Sequence, residues 1–371
     1  MIKAVQAFII AILVSLPACT FFQKQKYETP VREPKKEALH AAMEVKKALS
    51  LKGLVFAKKL TGGHSGARLF VVTAGPKKYV IRFLKNVSQE QKQKEIALAS
   101  IASESGYGPH IYYADSKKGI VIMDYLKAKK ISDQQRQSKQ LYVALANILR
   151  KIHCGPPFCQ ARSPFDKFRI KVERVAKYGV DAYIPLKKME HIVSCIHKAF
   201  LPCLTFAPCH NDLHLFNLIF LENGEFKAID FDNAGQSNPY YDIAVVALFY
   251  CVDPAHEKSL LSAYLGRKPF VHEKAKLFLM KQVALLIFAL GALKSIIEKA
   301  PLYETVHVSC KNWYVFLKKL LKGLSDGTIK LRNPEYKLKL VKSMIAHVIS
   351  NAMTARYSNA IRNVRKSSIK K

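Results

Sequence analysis

Two short segments constrain this chain more than anything else in it. The first is His210-Asn211-Asp212-Leu213-His214-Leu215-Phe216-Asn217 and the second is Ala228-Ile229-Asp230-Phe231-Asp232. Together they set an Asp, an Asn five positions later and a second Asp eighteen positions after the first. Residues 218–221 and 225–229 read as strands meeting at Glu222-Asn223-Gly224. Asn-Gly is a strong hairpin signal, because the central residues of the tight turn need positive φ. Such a hairpin returns Asn217 and Asp230 to the same end of a small sheet. Phosphoryl transfer to a hydroxyl uses these three groups in this chain order. One carboxylate accepts or orients the hydroxyl, and an amide and a second carboxylate hold Mg²⁺ against nucleotide phosphates.

With Cys209 in front and Tyr241-Asp242-Ile243-Ala244 behind, the run Cys-His-Asn-Asp-Leu-x-x-x-Asn followed by Ile-Asp-Phe-Asp resembles the aminoglycoside phosphotransferase and choline/ethanolamine kinase superfamily. The Asn that follows the His leans toward the choline/ethanolamine branch. The resemblance implies an α+β, bilobal, protein-kinase-like fold, with a small antiparallel N-lobe sheet, a mainly helical C-lobe, and ATP and Mg²⁺ as cofactors. It further implies Asp212 as catalytic base, His210 as a brace of the catalytic loop, and Asn217 and Asp230 as metal ligands. Asp232 would stand behind them or make a weaker metal contact.

The rest of that fold is sought upstream. Residues 54–57 and 69–72 read as strands flanking Thr61-Gly62-Gly63-His64-Ser65-Gly66. Glycine at such a turn lets backbone N–H groups approach phosphate oxygens, which makes Gly62, Gly63, Ser65 and Gly66 nucleotide-binding candidates. It is neither a Walker sequence nor the full protein-kinase glycine loop. The next strand, residues 79–83, presents Arg82 where kinases present a basic residue to the α/β-phosphates, and arginine can grip a phosphate bidentately. Lys85, beyond the strand, is the competing candidate. A helix over 88–104 offers Glu95 as ion-pair partner to Arg82. A strand pair over 108–113 and 120–126 ends at Met123-Asp124-Tyr125, the hinge where, by analogy, backbone groups meet adenine. A helix over 140–153 begins the helical lobe, and the resemblance spans about 51–250.

These boundaries divide the chain into 1–42, a hydrophobic signal-like or anchor segment plus polar linker; 43–126, the ATP-binding lobe; 127–336, the catalytic and substrate lobe; and 337–371, a basic helical tail. The length of 43–336 suffices for two lobes that each bury a core. Residues 274–299 read as a mostly apolar helix whose uncharged run, 282–293, is too short to span a bilayer, so it is expected buried in the C-lobe. Residues 302–324, containing the single Trp, Trp313, read as another helix.

The chain carries 60 Lys and Arg against 27 Asp and Glu, a formal charge of +33. Such a field attracts anions and helps hold ATP. Apolar residues recur at helical intervals in the basic tail, so it reads either as an amphipathic helix touching anionic membrane or as a terminal helix covering the lobe. No nucleic-acid-binding module is present in the sequence, and no specific nucleic-acid binding is expected. The eight cysteines form no paired Cys-x-x-Cys framework, which argues for isolated thiols in a reducing cytosol. Residues 4–22 carry no charge and Leu16-Pro17-Ala18-Cys19 resembles a lipoprotein signal site, yet Lys24, Lys26, Arg32, Lys35 and Lys36 follow it. That charge placement favours a cytoplasmic catalytic domain, with or without an anchor. A translation start at Met43 and a cleaved signal are the alternatives.

The acceptor is expected to be a small hydroxylated molecule, choline- or ethanolamine-like first and aminoglycoside-like second. A quaternary ammonium would need aromatic faces and a carboxylate. Candidates are Tyr240, Tyr241, Tyr250, Trp313 and Tyr314, with Glu298 or Glu304, while the +33 charge opposes a cation at long range. A reading of another class is an inactive kinase-like fold serving as a membrane- or partner-binding module. Retention of Asp212, Asn217 and Asp230 argues against it.

Overall fold

The computed structural model describes residues 35–60, 68–84, 87–158, 163–251, 253–298 and 334–367. The Gly62-Gly63-His64-Ser65-Gly66 loop, Lys85, the charge-free segment 4–22, Trp313, Tyr314 and Glu304 lie outside the described residues. In chain order the elements are α1 (Lys35–Ala48), β1 (Val55–Leu60), β2 (Arg68–Ala74), β3 (Lys77–Phe83), α2 (Gln89–Glu104), β4 (Ile111–Asp115) and β5 (Ile120–Asp124). Next come α3 (Asp133–Gln137), α4 (Lys139–His153), α5 (Pro164–Ala176), α6 (Leu186–Phe200), β6 (Ala207–Cys209), β7 (Leu218–Phe220), β8 (Phe226–Ala228) and β9 (Gly235–Ser237). The last are α7 (Pro239–Tyr250), α8 (Pro254–Leu265), α9 (Val271–Ile297), α10 (Pro334–Ala352) and α11 (Ala355–Lys366). They pack as two units, 35–132 with 215–233 and 133–214 with 234–367.

The first unit is a five-stranded antiparallel sheet in the order β1-β2-β3-β5-β4. Alternation along β2 and β3 sends Phe70, Val72, Tyr79, Ile81 and Phe83 to one face, where they meet Ala41 and Val45 of α1 in a closed apolar core. Because the side-chain period of a strand is two, Arg82 stands on the opposite face. Val80 and Arg82 pair with Met123 and Val121 of β5, so these four share that face. Ser88 caps α2, its Oγ accepting from Gln91 N at 3.2 Å, which fixes where the helix carrying Glu95 starts.

The β7–β8 hairpin forms as expected, with Gly224 at φ +83° in its turn. It packs with this unit: Ala228 N donates to Tyr107 O at 2.7 Å, Lys129 N to Phe220 O at 2.7 Å, and the Tyr107 and Phe231 rings lie 5.9 Å apart. Residues 215–233 therefore group with the sheet and not with the segment that follows residue 132. The boundary at 42/43 falls within a helix. It cuts α1, whose Ala41 is fully buried in the sheet's core, and Glu37 of α1 pairs with Lys59 and Arg68.

In the second unit α9 is the central helix, packed by α5, α7, α10 and α11. It is long and apolar enough to cross a membrane, but 78% of its most apolar window is buried against its neighbours, as expected of a C-lobe core helix. The boundary at 336/337 falls inside α10. Leu340, Val341, Met344 and Val348 of α10 and Tyr357, Ile361 and Val364 of α11 are buried, and the Tyr357 hydroxyl donates to Ile192 O at 3.1 Å. The tail's helical apolar pattern is thus accounted for by packing on this unit.

Candidate active site

Residues 210–212 lie in the second unit, held by a buried carboxylate. Asp242, in the first turn of α7, is fully buried. Its Oδ2 accepts from His210 N at 2.8 Å and its Oδ1 from Asn211 N at 2.7 Å. His153, at the C-terminal end of α4, sits behind it, with Nε2 3.2 Å from Asp242 Oδ2 and Nδ1 2.8 Å from the Tyr264 hydroxyl. One ring nitrogen thus meets the carboxylate and the other the phenol. The helix itself is placed by Asn238, whose side chain accepts from Tyr240 N at 3.0 Å, and by Pro239 in its first turn.

The clamp holds Asn211 at φ +62°, a left-handed conformation uncommon for a side-chain-bearing residue. Lys167 of α5 closes the other side, its Nζ donating to Asn211 O at 2.9 Å. Asp212 follows at once. Burial acts against its charge, but His214, Lys167, His210 and Lys171 outweigh it and hold the carboxyl below the usual carboxylate range. His214 Nε2 lies 3.8 Å from Asp212 Oδ2, and burial lowers the imidazole's own pKa, so at neutral pH the lysines supply the positive surroundings. An ionised carboxylate on a rigid loop is suited to accept or orient a hydroxyl proton.

The same clamp uses up the donors of a possible metal cluster formed by His153, Cys209 and Asp242, which lie within 4.8 Å of one another. Both Asp242 oxygens already accept hydrogen bonds. The Cys209 thiol donates to Ser237 O at 3.6 Å and burial pushes its pKa up, disfavouring the thiolate a metal needs. The cluster is a structural brace.

The first unit carries the nucleotide and metal candidates. Arg82 Nη2 contacts Glu95 Oε2 at 3.0 Å and Asp232 Oδ1 at 3.3 Å, so the expected pair forms and Asp232 joins it. Gln91 Nε2 donates to Glu95 Oε1 at 3.1 Å and steadies the carboxylate. Burial alone would lower the Arg82 pKa, but Asp232, Asp230 and Glu95 raise it above its ordinary value. Ile229 N donates to Asn217 O at 3.0 Å, which sets Asn217 beside Asp230 across the base of the hairpin. Asp230 is exposed and held at φ +66°, and Asn217 is buried. Of the described residues only Ser50, Asn211 and Asp230 carry a side chain at positive φ, and two of these three lie in the motif segments. Such strain clusters at functional sites.

Asn217, Asp230 and Asp232 fit a magnesium ion by donor chemistry, since they offer hard oxygen ligands of the kind Mg²⁺ requires. The exposed Asp230 carboxylate, already placed by a strained backbone, is the strongest observation for that fit. At the hinge the structure is less accommodating. Asp124 N donates to His110 O at 2.9 Å and Tyr125 N to Lys78 O at 3.4 Å, so these N–H groups are spent within the sheet. The Asp124 carboxylate accepts from the Tyr112 hydroxyl at 2.8 Å, and Met123 is half-buried on the Arg82 face.

Sequence reasoning missed the clamp and the lysines. Asp242 stood in the quoted Tyr-Asp-Ile-Ala run, thirty residues after Asp212, without a role, and His153 was read only as a helix end. Lys167 and Lys171 gave a signal in their i, i+4 spacing on one helix face.

The sequence profile of the phosphotransferase enzyme family matches residues 57–278. No curated protein sequence matches the chain significantly. Among solved structures, a choline/ethanolamine kinase family protein from Mesorhizobium loti superposes with a TM-score of 0.63 at 16% identity, covering 90% of this chain and 99% of that one. The choline kinase LicA from Streptococcus pneumoniae gives 0.55 at 21% identity, with 77% and 99% covered. A spectinomycin phosphotransferase in complex with ADP and spectinomycin gives 0.52 at 14% identity, with 87% and 99% covered. At these identities the structures establish the kinase-like fold.

Proposed function

The chain belongs to the phosphotransferase enzyme family, and from that premise we propose that it moves the γ-phosphoryl group of Mg·ATP to a hydroxyl of a small molecule. The observation that carries the reading is the loop clamped by buried Asp242, which presents an ionised Asp212. In the reaction the acceptor hydroxyl gives its proton to Asp212 as its oxygen bonds to the γ-phosphorus, and the bond to the β–γ bridging oxygen breaks to release ADP. Arg82, fixed by Glu95, would offer its guanidinium to the α/β-phosphates. Asn217 and Asp230 would hold the metal, with Asp232 assisting. Bound Mg²⁺ would neutralise charge on the phosphate oxygens.

Nucleotide use is supported by relatives solved with ADP or AMP. A choline- or ethanolamine-like acceptor is supported by the relatives from Mesorhizobium loti and Streptococcus pneumoniae and by the Asn after His210. The aromatic candidates support it poorly. Tyr250 is buried, and Tyr240 and Tyr241 are buried with Lys276 and Lys167 ammonium groups 5.7 Å from their ring centroids. Those two faces already carry a fixed cation.

The test is Mg²⁺-dependent ADP formation by the full chain across hydroxylated small molecules, with Asp212→Asn alongside. Stimulation by an acceptor, abolished in Asp212→Asn while ATP still binds, is the expected result. Near-normal turnover in Asp212→Asn would remove Asp212 from the role of base.

A further inference from the structure

Cations gather around Asp212. Lys167, Lys171 and Arg174 recur at i, i+4 and i+7 on α5, and therefore lie on one face of that helix. Lys167 and Lys171 are both near enough to Asp212 for their charges to act on it, and Lys167, Arg174 and Lys294 of α9 act in turn on Lys171. Carboxylates are few around this group. Asp212 is one, and Glu298 pairs with Lys294 at 3.2 Å.

Lys171 itself has no hydrogen-bond or ion-pair partner among the described residues. Its ammonium lies against α9 where the chain has Gly291, and a Cβ at that position would stand 3.0 Å from Lys171 Nζ. Glycine in a helix interior costs about 1 kcal/mol relative to alanine, so the helix gives up stability at the one turn that leaves room for this ammonium. A half-buried ammonium crowded by Lys167, Arg174 and Lys294, with Asp212 acting the other way, is unfavourably placed. Burial, first, and the neighbouring cations bring its pKa down to about 8. A structural role would be better served by methionine or leucine.

Resting on the phosphotransferase reading above, we infer that the acceptor is an anion: a small hydroxylated molecule carrying a carboxylate or phosphate group, received by Lys171 with Lys167 beside it, while its hydroxyl is presented to Asp212. The ligand's acid group adds counter-charge to a group in which Asp212 faces Lys171, Lys167, Arg174 and Lys294. The same cations disfavour choline, ethanolamine and aminoglycosides, which bring positive charge to positive charge.

Two measurements on the full chain decide it. The first is the thermal shift produced, with a non-hydrolysable ATP analogue and Mg²⁺ present, by glycerate, glycerol 3-phosphate, glucose 6-phosphate and inorganic phosphate, against choline, ethanolamine and kanamycin. The second is ADP formation with the same compounds. Stabilisation by members of the anionic set alone, weakened about 10- to 100-fold in apparent affinity by Lys171→Met, is expected, with the acceptor KM rising in step. Stabilisation by inorganic phosphate alone would mark a phosphoryl site rather than an acceptor site and would overturn the inference. So would stabilisation by the cations, absence of any shift with the anions, or an anion effect that survives in both Lys171→Met and Gly291→Leu. A fall in kcat with every acceptor at constant acceptor KM would assign Lys171 to the transferred phosphoryl instead. Asp212-dependent phosphorylation of choline would sink the inference and leave the phosphotransferase reading intact. Failure to bind ATP would sink the phosphotransferase reading while the anion-binding result stood by itself.

Discussion

Replacing Asp242 by alanine is the most demanding test of how this site is held. The buried carboxylate accepts two backbone N–H groups, at 2.8 and 2.7 Å, from residues that are themselves 0% and 3% exposed, and it faces His153 at 3.2 Å. Alanine leaves both N–H groups buried without an acceptor, at about 1–3 kcal/mol each. The loss in stability is therefore about 2–6 kcal/mol before the stranded imidazole is considered. At about 2 °C per kcal/mol for a chain of this size, melting should fall by roughly 4–12 °C. Function should fall further than stability. Asn211 at φ +62° is kept there by the clamp, at a strain of order 1–3 kcal/mol, and releasing it moves Asp212. A displacement on the order of 1 Å costs ~10²-fold in turnover. Asp242→Asn retains one acceptor and should give an intermediate loss of both. The assay is a melting curve paired with ATP binding and ADP formation at a temperature where the variant is folded. An Asp242→Ala protein that melts with the parent, or that melts lower yet turns over normally, would refute the clamp argument.

Other expectations follow from the same distances and charges. Arg82→Ala leaves Glu95, Asp232 and Asp230 facing one another without their cation, and should raise the KM for ATP by about 10²-fold, with Arg82→Lys recovering part of it through a single contact. Asp212 titrates below the ordinary carboxylate range, so its contribution is present above the unfolded pKa and lost only as pH falls through the lower folded value; a rate profile should show no Asp212 limb above about pH 4. Lys171 runs the other way. Its folded pKa of about 8, set by burial and by Lys167, Arg174 and Lys294 against Asp212, lies below the unfolded value, so the unfolded chain binds the extra proton between the two and stability rises with pH there. Lys171→Met should accordingly raise the melting temperature at pH 7 and lose that advantage by about pH 10.5. A chain started at Met43 lacks Ala41, Ala42 and Glu37 and opens the sheet's apolar face to water, and limited proteolysis should find its β1–β3 region cut where the full chain is protected.

Legibility in the sequence followed the range of the interaction. The β7–β8 hairpin, the Ser88-capped helix and the Arg82–Glu95 pair were readable because each depends on a local signal: an Asn-Gly turn, a cap before a helical run, a charge on an alternating strand. The helix α1 was not. Its Lys-rich sequence looks like a linker, and only Ala41 and Val45 show that one stripe of it is buried. Small apolar residues on a charged helix give little periodic contrast. The strand that carries the hinge candidates was readable, whereas the partners of the Asp124 and Tyr125 N–H groups are settled by register with β4 and β3.

What could not be read at all were the groups that act across long sequence separations, and those govern the chemistry. Asp242 reaches back about thirty residues to the loop and about ninety to His153, with no local pattern announcing either contact. Lys171 was one of 60 basic residues, and charge counting makes such a residue look like solvated surface. Its meaning comes from Gly291, some 120 residues later, which leaves the ammonium room beside the central helix. The formal charge of +33 is a weak guide to substrate, because exposed charges are screened beyond about 8 Å. A half-buried cation beside Asp212 is screened less. The charge proposed for the acceptor therefore rests on Lys171 and the glycine opposite it, not on the composition of the whole chain.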